Sequence, residues 1–221
     1  MISLAKLKIN KMKNVFLLVT ALAFSLTSCK EDKSKKVETH HAKPVKKVAT
    51  SGEFKVLNSK MTWKGFKATS SHNGEITITE GKLYVKDTKL VGGEFEIDMN
   101  SITNRDIADN SYKKKIENHL KSADFFDVQK YPKATFEITN VSVKDEISII
   151  EGNLTIKGIT KNISFPATVL VEKSGVTLLS DKIKIDRTDF GIKYNSGKFF
   201  KNLKDKLIRD IFEVSFKIVA K

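Results

Sequence analysis

Apolar and polar residues alternate along most of the chain after about residue 53, as in residues 94–99 and 135–139. A period of two is typical of strands that have one dry face and one wet face. The alternation predicts eight strands, at approximately residues 59–68, 74–86, 90–99, 133–143, 146–157, 162–173, 175–186 and 211–220.

Short turns separate many of these strands, including Asn73-Gly74, Lys157-Gly158 and Ser174-Gly175. Short connections imply that consecutive strands are antiparallel neighbours. Either a sandwich or a barrel accommodates eight such strands, and an up-and-down barrel leaves no open sheet edge. The pattern therefore predicts an all-β fold and favours an eight-stranded antiparallel up-and-down β-barrel over the sandwich, which it leaves open.

Two segments interrupt the strand pattern. Between residues 100 and 132, Tyr112, Ile116 and Leu120 recur every four residues, which predicts one apolar face of a helix. Between residues 187 and 210 a weaker helical stripe consists of Phe200, Leu203, Leu207 and Ile208. We expect both short helical insertions to lie across one end of the barrel, where ligands commonly enter.

The N-terminal residues have the pattern of an export signal. Basic residues without acids occupy positions 1–14, an apolar run follows to Leu26, and small polar residues lead to Cys29. The run is too short to span a bilayer, and Met12 is an alternative start. Residues 26–29 resemble the bacterial lipobox, which implies a signal peptide over residues 1–28 and a lipidated Cys29. A plain secreted protein with an unmodified cysteine is the alternative.

Residues 29–52 are rich in lysine and show no apolar periodicity, so we predict the lipidated cysteine and a flexible basic tether. The barrel domain is then residues 53–221. Lys30-Glu31-Asp32 resembles a sorting signal for the outer cell surface. The expected location is the outer membrane, facing either the periplasm or the cell exterior, with contact to the membrane through the lipid anchor.

The net charge is +14, from 40 Lys and Arg against 26 Asp and Glu. Residues 1–29 contribute four of these charges and residues 30–52 another four, which leaves +6 on the domain. Basic and acidic residues are interspersed there, without the single-sign stripe that phosphate binding needs. We therefore expect no nucleic-acid partner.

Candidates for catalysis are few. The predicted domain contains two histidines, His72 and His119, and no cysteine. An enzyme acting on a lipid would use one of them with Asp98 or Asp124. No HxH or HExxH spacing favours a metal site, and no glycine-rich phosphate loop is present. We expect no catalytic residue, metal or cofactor.

Phenylalanine is abundant, with 14 in the chain. An ordinary aromatic core is one explanation. The alternative is an apolar lumen that holds one small ligand, because an eight-stranded barrel is just wide enough. An alkyl or isoprenoid chain would gain roughly 0.8 kcal/mol for each buried CH₂.

Several motifs together resemble the YceI-like family. They are WKG at 63–65, HNG at 72–74, GGEFEIDMNSI at 92–102, HLKSADFFD at 119–127, YPKATF at 131–136, GNLTIKGITK at 152–161 and DRTDFG at 186–191. The resemblance runs from about residue 54 to 220. It implies a lipocalin-like β-barrel that binds a polyisoprenoid or similar long-chain lipid without catalysis. Members are usually secreted to the periplasm, and the lipobox departs from that.

Three readings therefore remain: a lipid-binding module, an enzyme acting on such a lipid, and a solidly packed structural or adhesive lipoprotein. For the first, we expect the lumen to be lined by Trp63, Phe95, Ile97, Phe136, Ile138 and Phe165. Phe126, Phe190 and Phe200 would close one end, and Arg187 would contact the head group. For Arg187, in the polar run of residues 186–189, a salt-bridged strand end is the favoured alternative. The sequence leaves open whether the protein forms a homodimer.

Overall fold

The structure is a computed structural model that describes residues 36–57, 59–145 and 147–221. The predicted signal peptide, Cys29 and the first part of the predicted tether lie outside the described residues.

These residues form ten strands and one α-helix. The strands are β1 Gly52–Lys55, β2 Ser59–Phe66, β3 Ser71–Lys86, β4 Lys89–Asn104, β5 Lys133–Lys144, β6 Ile147–Ile156, β7 Ile159–Glu172, β8 Gly175–Ser180, β9 Ile183–Asp186 and β10 Ile211–Ala220. The helix is α1 Asn110–Lys121, and short 3₁₀ turns span Arg187–Phe190 and Lys204–Lys206.

The strands close into one antiparallel barrel. Strands β2 to β8 follow one another as neighbours, and β10 closes the ring by pairing with both β8 and β2. The predicted eight-stranded up-and-down barrel is confirmed. The short strand β1 was not predicted. It pairs with residues 82–85 of β3 and is not part of the closed ring.

The strand predicted over residues 175–186 is broken in two. Both halves pair with β10, but Leu179 faces Lys217 while Ile183 faces Val214, which is an offset of one residue. The extra residue leaves Asp181 and Lys182 exposed side by side. Such a bulge restores the inward direction of the apolar residues, because Ile183 and Ile185 are buried again beyond it.

Residues 36–50 are here called the N-terminal segment, and the first of them form backbone hydrogen bonds with two strands of the barrel. The first half of β7 pairs with β6 on one side, and β9 makes no ladder with it on the other. Val37 N donates to Lys184 O of β9 at 2.8 Å. The backbones of His40 and Asn162 of β7 donate one hydrogen bond to each other in both directions. The N-terminal segment therefore fills the seam between β9 and β7. This differs from the predicted flexible tether, because backbone groups at an unpaired strand edge need partners.

Helix α1 confirms the first predicted insertion. Asp109 Oδ1 caps it by accepting from Tyr112 N at 2.7 Å. The second insertion contains only the two 3₁₀ turns among its described residues, so the stripe from Phe200 to Ile208 does not lie on a helix. Gly191, with φ 74°, ends the first turn in the left-handed region.

Both insertions lie at the same end of the barrel as the β2–β3 and β6–β7 turns. We call this the mouth end, and residues 191–210 the mouth loop. The opposite half is packed solid with fully buried side chains, among them Leu83, Ile150, Leu178 and Ile218. No helix in residues 36–57, 59–145 and 147–221 is long and apolar enough to cross a membrane.

Candidate functional site

The mouth half of the barrel contains a cavity of about 100 Å³. Its lining is apolar throughout, from strands β2 to β7, β9 and β10 together with Leu120 of α1 and Phe126 after it. The alternating pattern produces this lining, because every second residue of each strand points inward. The cavity offers dispersion contacts and no polar partner, which suits a hydrocarbon.

Six of the ten predicted ligand-binding residues line the cavity: Trp63, Phe95, Ile97, Phe126, Phe136 and Phe165. The same strand faces also contribute residues that were not predicted, such as Met99, Ala134 and Ile163. Their signal was present, since each is two residues from a predicted lining residue on the same strand. The prediction favoured aromatic residues and overlooked smaller ones of the same parity.

The other four predicted residues do not line the cavity. Ile138 is buried one inward position beyond Phe136, in the packed half, and Phe190 is buried beneath the first 3₁₀ turn. Phe200 does not close the barrel, because its side chain is 50% exposed on the mouth loop.

Arg187 is 4% exposed and its guanidinium already has partners. Nε donates to Arg209 O, Nη1 to Ile192 O, and Nη2 to Ile208 O and to Asp210 Oδ1, at 3.0–3.3 Å. Burial lowers the pKa of Arg187, and the charges of Asp210 and Asp186 oppose that shift. The side chain therefore holds the two ends of the mouth loop together, in place of the predicted head-group contact.

Four phenylalanine rings form the inner end of the cavity, and we call them the aromatic floor. Phe95, Phe136, Phe165 and Phe216 contact one another in a closed cycle with centroid distances of 5.3, 5.6, 5.9 and 6.0 Å. They come from β4, β5, β7 and β10, so the cycle crosses the barrel interior. The aromatic floor divides the cavity from the packed half.

Two glycines leave room for these aromatic rings. A Cβ at Gly74 would lie 1.8 Å from Thr103 O and 2.7 Å from Trp63 Cζ2, and a Cβ at Gly152 would lie 2.3 Å from Phe136 Cζ. Trp63 is in turn oriented by a hydrogen bond from Nε1 to Thr103 O at 3.2 Å. The cavity wall therefore depends on backbone positions that no larger residue can occupy.

A second, more polar space of about 550 Å³ lies at the mouth end, and we call it the vestibule. Its lining includes His72, Tyr112, His119, Tyr194 and Lys67. Leu120 lines both spaces and so marks their boundary. An apolar cavity next to a vestibule that adds histidine, tyrosine and lysine side chains to an apolar lining matches the two ends of an amphiphilic molecule.

Both vestibule histidines are paired with carboxylates. His72 Nδ1 lies 2.9 Å from Asp106 Oδ2, and His119 Nε2 lies 3.1 Å from Asp124 Oδ2. Burial would raise the pKa of Asp106, but hydrogen bonds from Asn73 N, His72 and Asn104 outweigh it and hold the pKa below its ordinary value. Asp98 is not a partner of either histidine, because it accepts from Asn100 N on the outer side of β4.

The fold therefore brings together only some of the residues that the enzyme hypothesis requires. The pair His119–Asp124 exists, and His119 also stacks edge-on against Phe125 and Tyr194 at 5.0 and 4.7 Å. Among the described residues, the vestibule lining includes no serine, threonine or cysteine to act as nucleophile. No group of three His, Cys, Asp or Glu side chains in the described ranges could hold a metal ion.

A model of the YceI-like domain family matches residues 35–220 of the chain. A UPF0312 protein of Pseudomonas paraeruginosa is 35% identical over 89 residues, which covers 37% of this chain and 45% of that protein. Protein YceI of Salmonella arizonae is 41% identical over 54 residues, covering 24% of this chain and 28% of its own. The chain thus aligns with less than half the length of these relatives.

Two solved structures resemble the barrel closely in shape. Burkholderia cenocepacia BcnA superposes with a TM-score of 0.59 at 22% identity, covering 74% of this chain and 96% of its own. A polyisoprenoid binding domain from Saccharophagus degradans superposes with a TM-score of 0.58 at 14% identity, covering 76% and 97%. At these identities the similarity shows a shared fold.

Proposed function

Because the chain belongs to the YceI-like domain family, we propose that its barrel binds a polyisoprenoid or similar long-chain amphiphilic lipid without catalysis. The observation that carries the proposal is the wholly apolar cavity that ends at the aromatic floor and borders a vestibule with histidine, tyrosine and lysine side chains. The structurally similar domain from Saccharophagus degradans is described as polyisoprenoid binding, which supports the same ligand class here.

The ligand would enter with its chain end first. Each CH₂ that leaves water for the cavity gains about 0.8 kcal/mol, whereas a head group there would lose its hydrogen bonds without replacement. The head group therefore stays in the vestibule, among the histidine and tyrosine side chains. The cavity is smaller than the roughly 300–1,000 Å³ of common ligand pockets. A long chain thus extends through the vestibule or moves lining side chains apart.

Trp63 makes binding measurable, because it is the single tryptophan of the chain and lies in the cavity wall. Titrating delipidated protein with polyprenyl alcohols should change its fluorescence. Ala134→Phe should abolish the change, since the larger ring fills the cavity next to Phe126 and Phe136. Val143→Phe is the matched control, at an exposed position of the opposite end.

Lipid extraction and native mass spectrometry of protein purified from its own host test the proposal directly. The expected result is a bound chain of isoprenoid or acyl mass. A protein that is always empty and takes up no polyprenyl chain overturns the proposal. Turnover of the lipid that disappears in His119→Gln, while binding remains, would identify the enzyme instead.

We also propose that the protein is exported and anchored to the outer membrane through a lipid on Cys29. The supporting feature is the lipobox-like sequence that ends at the single cysteine of the chain. Labelled palmitate should be incorporated into the wild-type protein and not into Cys29→Ser. Labelling of the variant, or an unmodified mature N-terminus in the wild type, would contradict the anchor.

A further inference from the structure

The mouth loop exposes two adjacent phenylalanines. Phe199 is 47% and Phe200 is 50% exposed. Together with Tyr112 on α1 they are the large aromatic side chains classed as exposed among the described residues, and all three lie at the mouth end. The exposed large aliphatic side chains are mostly elsewhere, as at Val143 and Leu170. Two adjacent exposed phenylalanines at one end of a barrel suggest a surface that is covered in function.

This exposure is built into the loop. The backbone amides of Phe199 and Phe200 both donate to Ser196 O, at 3.1 and 2.9 Å, and Ser196 is fully buried. Lys198 Nζ donates to Asp186 Oδ2 at 2.6 Å and ties the loop to the end of β9. The fold therefore holds the two rings outward, and they are not the frayed part of a loose loop.

The charge around the two rings is basic. Between residues 193 and 206 there are five lysines and one acid, Asp205. Lys193 Nζ lies 4.9 Å from the centroid of the Phe199 ring. Lys201, Lys204 and Lys206 are exposed, and no salt bridge to a described residue occupies them. Aromatic rings flanked by free lysines suit the head-group region of an anionic bilayer, where the lysines are attracted to the negative lipid charges.

The position of this surface fits a membrane as well. Asn195, Lys206 and Ile208 of the mouth loop also line the vestibule, so the exposed rings lie beside the entrance to the cavity. The described chain begins at the same end, where Lys36 Nζ lies 3.0 Å from Asp186 Oδ2. Cys29 precedes Lys36 by seven residues, which at about 3.5 Å each reach no more than about 25 Å.

We propose that the mouth end docks onto an anionic phospholipid bilayer, with Phe199 and Phe200 in the head-group layer and the vestibule facing the membrane. A second copy of the chain is the competing occupant. A two-fold contact would place the same lysines against one another, and like charges across an interface are unfavourable. The docking surface does not depend on what the cavity holds.

The test locates a tryptophan relative to the bilayer. The background is the full chain, matured and purified from its own host, with Trp63→Phe to remove the native signal. Phe200→Trp reports on the mouth end, and Val143→Trp is the matched control at the opposite end, where Val143 is 69% exposed. Each protein, emptied of lipid, is combined with vesicles of phosphatidylcholine and phosphatidylglycerol that contain brominated lipid.

We expect the bromine to quench most of the fluorescence in Phe200→Trp and little in Val143→Trp. The quenching should weaken when vesicles are phosphatidylcholine alone, or when Lys201 and Lys204 are both changed to Gln. Equal quenching at both ends, or none at either, overturns the docking surface. So does a dimer by native mass spectrometry that shields Phe200→Trp from acrylamide without vesicles. Because each protein is emptied of lipid beforehand, this test concerns docking alone. Failure of the lipid-binding experiments above would refute the lipid ligand and leave docking intact.

Discussion

Arg187 shows how a polar residue beside an apolar site can be mistaken for a ligand contact. From the sequence, a single arginine next to a strand end was compatible with either a salt-bridged turn or a head-group contact. The structure places its donors on three backbone carbonyls and Asp210. Nothing in the local sequence indicates this, because the carbonyls belong to residues five to twenty-two positions away. Only the closed mouth loop brings them together.

Replacing Arg187 should therefore affect stability first. We expect Arg187→Ala to lower the free energy of unfolding by about 3–5 kcal/mol, because it leaves Asp210 and the carbonyls without their buried partner. Arg209→Ala, an exposed arginine over the Phe66 ring, is the control and should cost far less. Urea titration measures both. A variant that keeps its stability but no longer binds lipid would restore the head-group role.

Gly65 and Gly74 lie on the two paired strands of the β2–β3 hairpin. Substitutions at these two positions can therefore be compared as a matched pair. A Cβ at Gly74 would collide with Thr103 O and Trp63, whereas a Cβ at Gly65 has no atom within 4 Å. We expect Gly74→Ala to lower the melting temperature and shift the Trp63 emission. Gly65→Ala should be neutral or stabilise by up to about 1 kcal/mol, since alanine loses less backbone entropy on folding. Equal effects of the two changes would contradict this account of the cavity wall.

At the scale of elements, the alternation of period two predicted all eight barrel strands. The spacing of Tyr112, Ile116 and Leu120 by four residues predicted the position of α1. The elements that it did not predict are short or depend on partners distant in sequence. Strand β1 has four residues, too few for a clear alternation. The N-terminal segment has no periodicity because it is held by single hydrogen bonds to β9, β7 and β6. The apolar stripe of the mouth loop suggested a helix, but its Phe200 is exposed to solvent.

Asp186 joins two of these elements. It is 1% exposed and accepts hydrogen bonds from Lys36 of the N-terminal segment, Lys198 of the mouth loop, and Thr188. Burial would raise the pKa of Asp186, but the hydrogen bonds from Lys198, Thr188 and Lys36 outweigh it, so its pKa lies far below the ordinary value. A carboxyl with a depressed pKa stabilises the fold above the unfolded-state pKa of about 3.9.

The stability that Asp186 contributes should therefore be complete at neutral pH and decline as the pH falls below about 5. Asp186→Asn should be less stable than the wild type at pH 7, and the difference should shrink in acid. Unfolding in urea between pH 7 and pH 2 measures both curves. Asp205→Asn, on the exposed face of the mouth loop, should follow the wild-type curve. A constant difference for Asp186→Asn at every pH would contradict the role of its charge.

The barrel combines a packed half with a half that contains the cavity. An ordinary aromatic core and an apolar lumen, the two explanations of the abundant phenylalanines, therefore each describe part of it. Periodicity predicted which residues point inward, but it could not predict where the interior is filled. That depends on the ring cycle of the aromatic floor, which closes only when four strands distant in sequence meet. Likewise, the charge count placed eight of the fourteen net charges on residues 1–52 and did not single out the five lysines between residues 193 and 206. In the fold a second basic group collects at the mouth loop.

The position of the aromatic floor should determine the length of chain that the barrel accepts. Affinity for a series of polyprenyl alcohols should rise with length, by up to about 0.8 kcal/mol per buried CH₂, until the chain end reaches the floor. Phe165→Leu removes one ring of the cycle and opens a way toward Ile138 and Ile150. In this variant the rise should continue for roughly one further isoprene unit, as measured by Trp63 fluorescence.

Loss of stability alone cannot produce that result, which makes the experiment decisive. Phe165→Leu should destabilise the barrel by less than the ~3–5 kcal/mol typical of Phe→Ala, because most of the side-chain volume remains. Ile218→Val destabilises the packed half without touching the aromatic floor, so its length profile should match the wild type. If both variants keep the wild-type profile, the chain end does not reach the floor. The ligand would then lie higher, mainly in the vestibule, with Leu120 and Phe126 as its principal contacts.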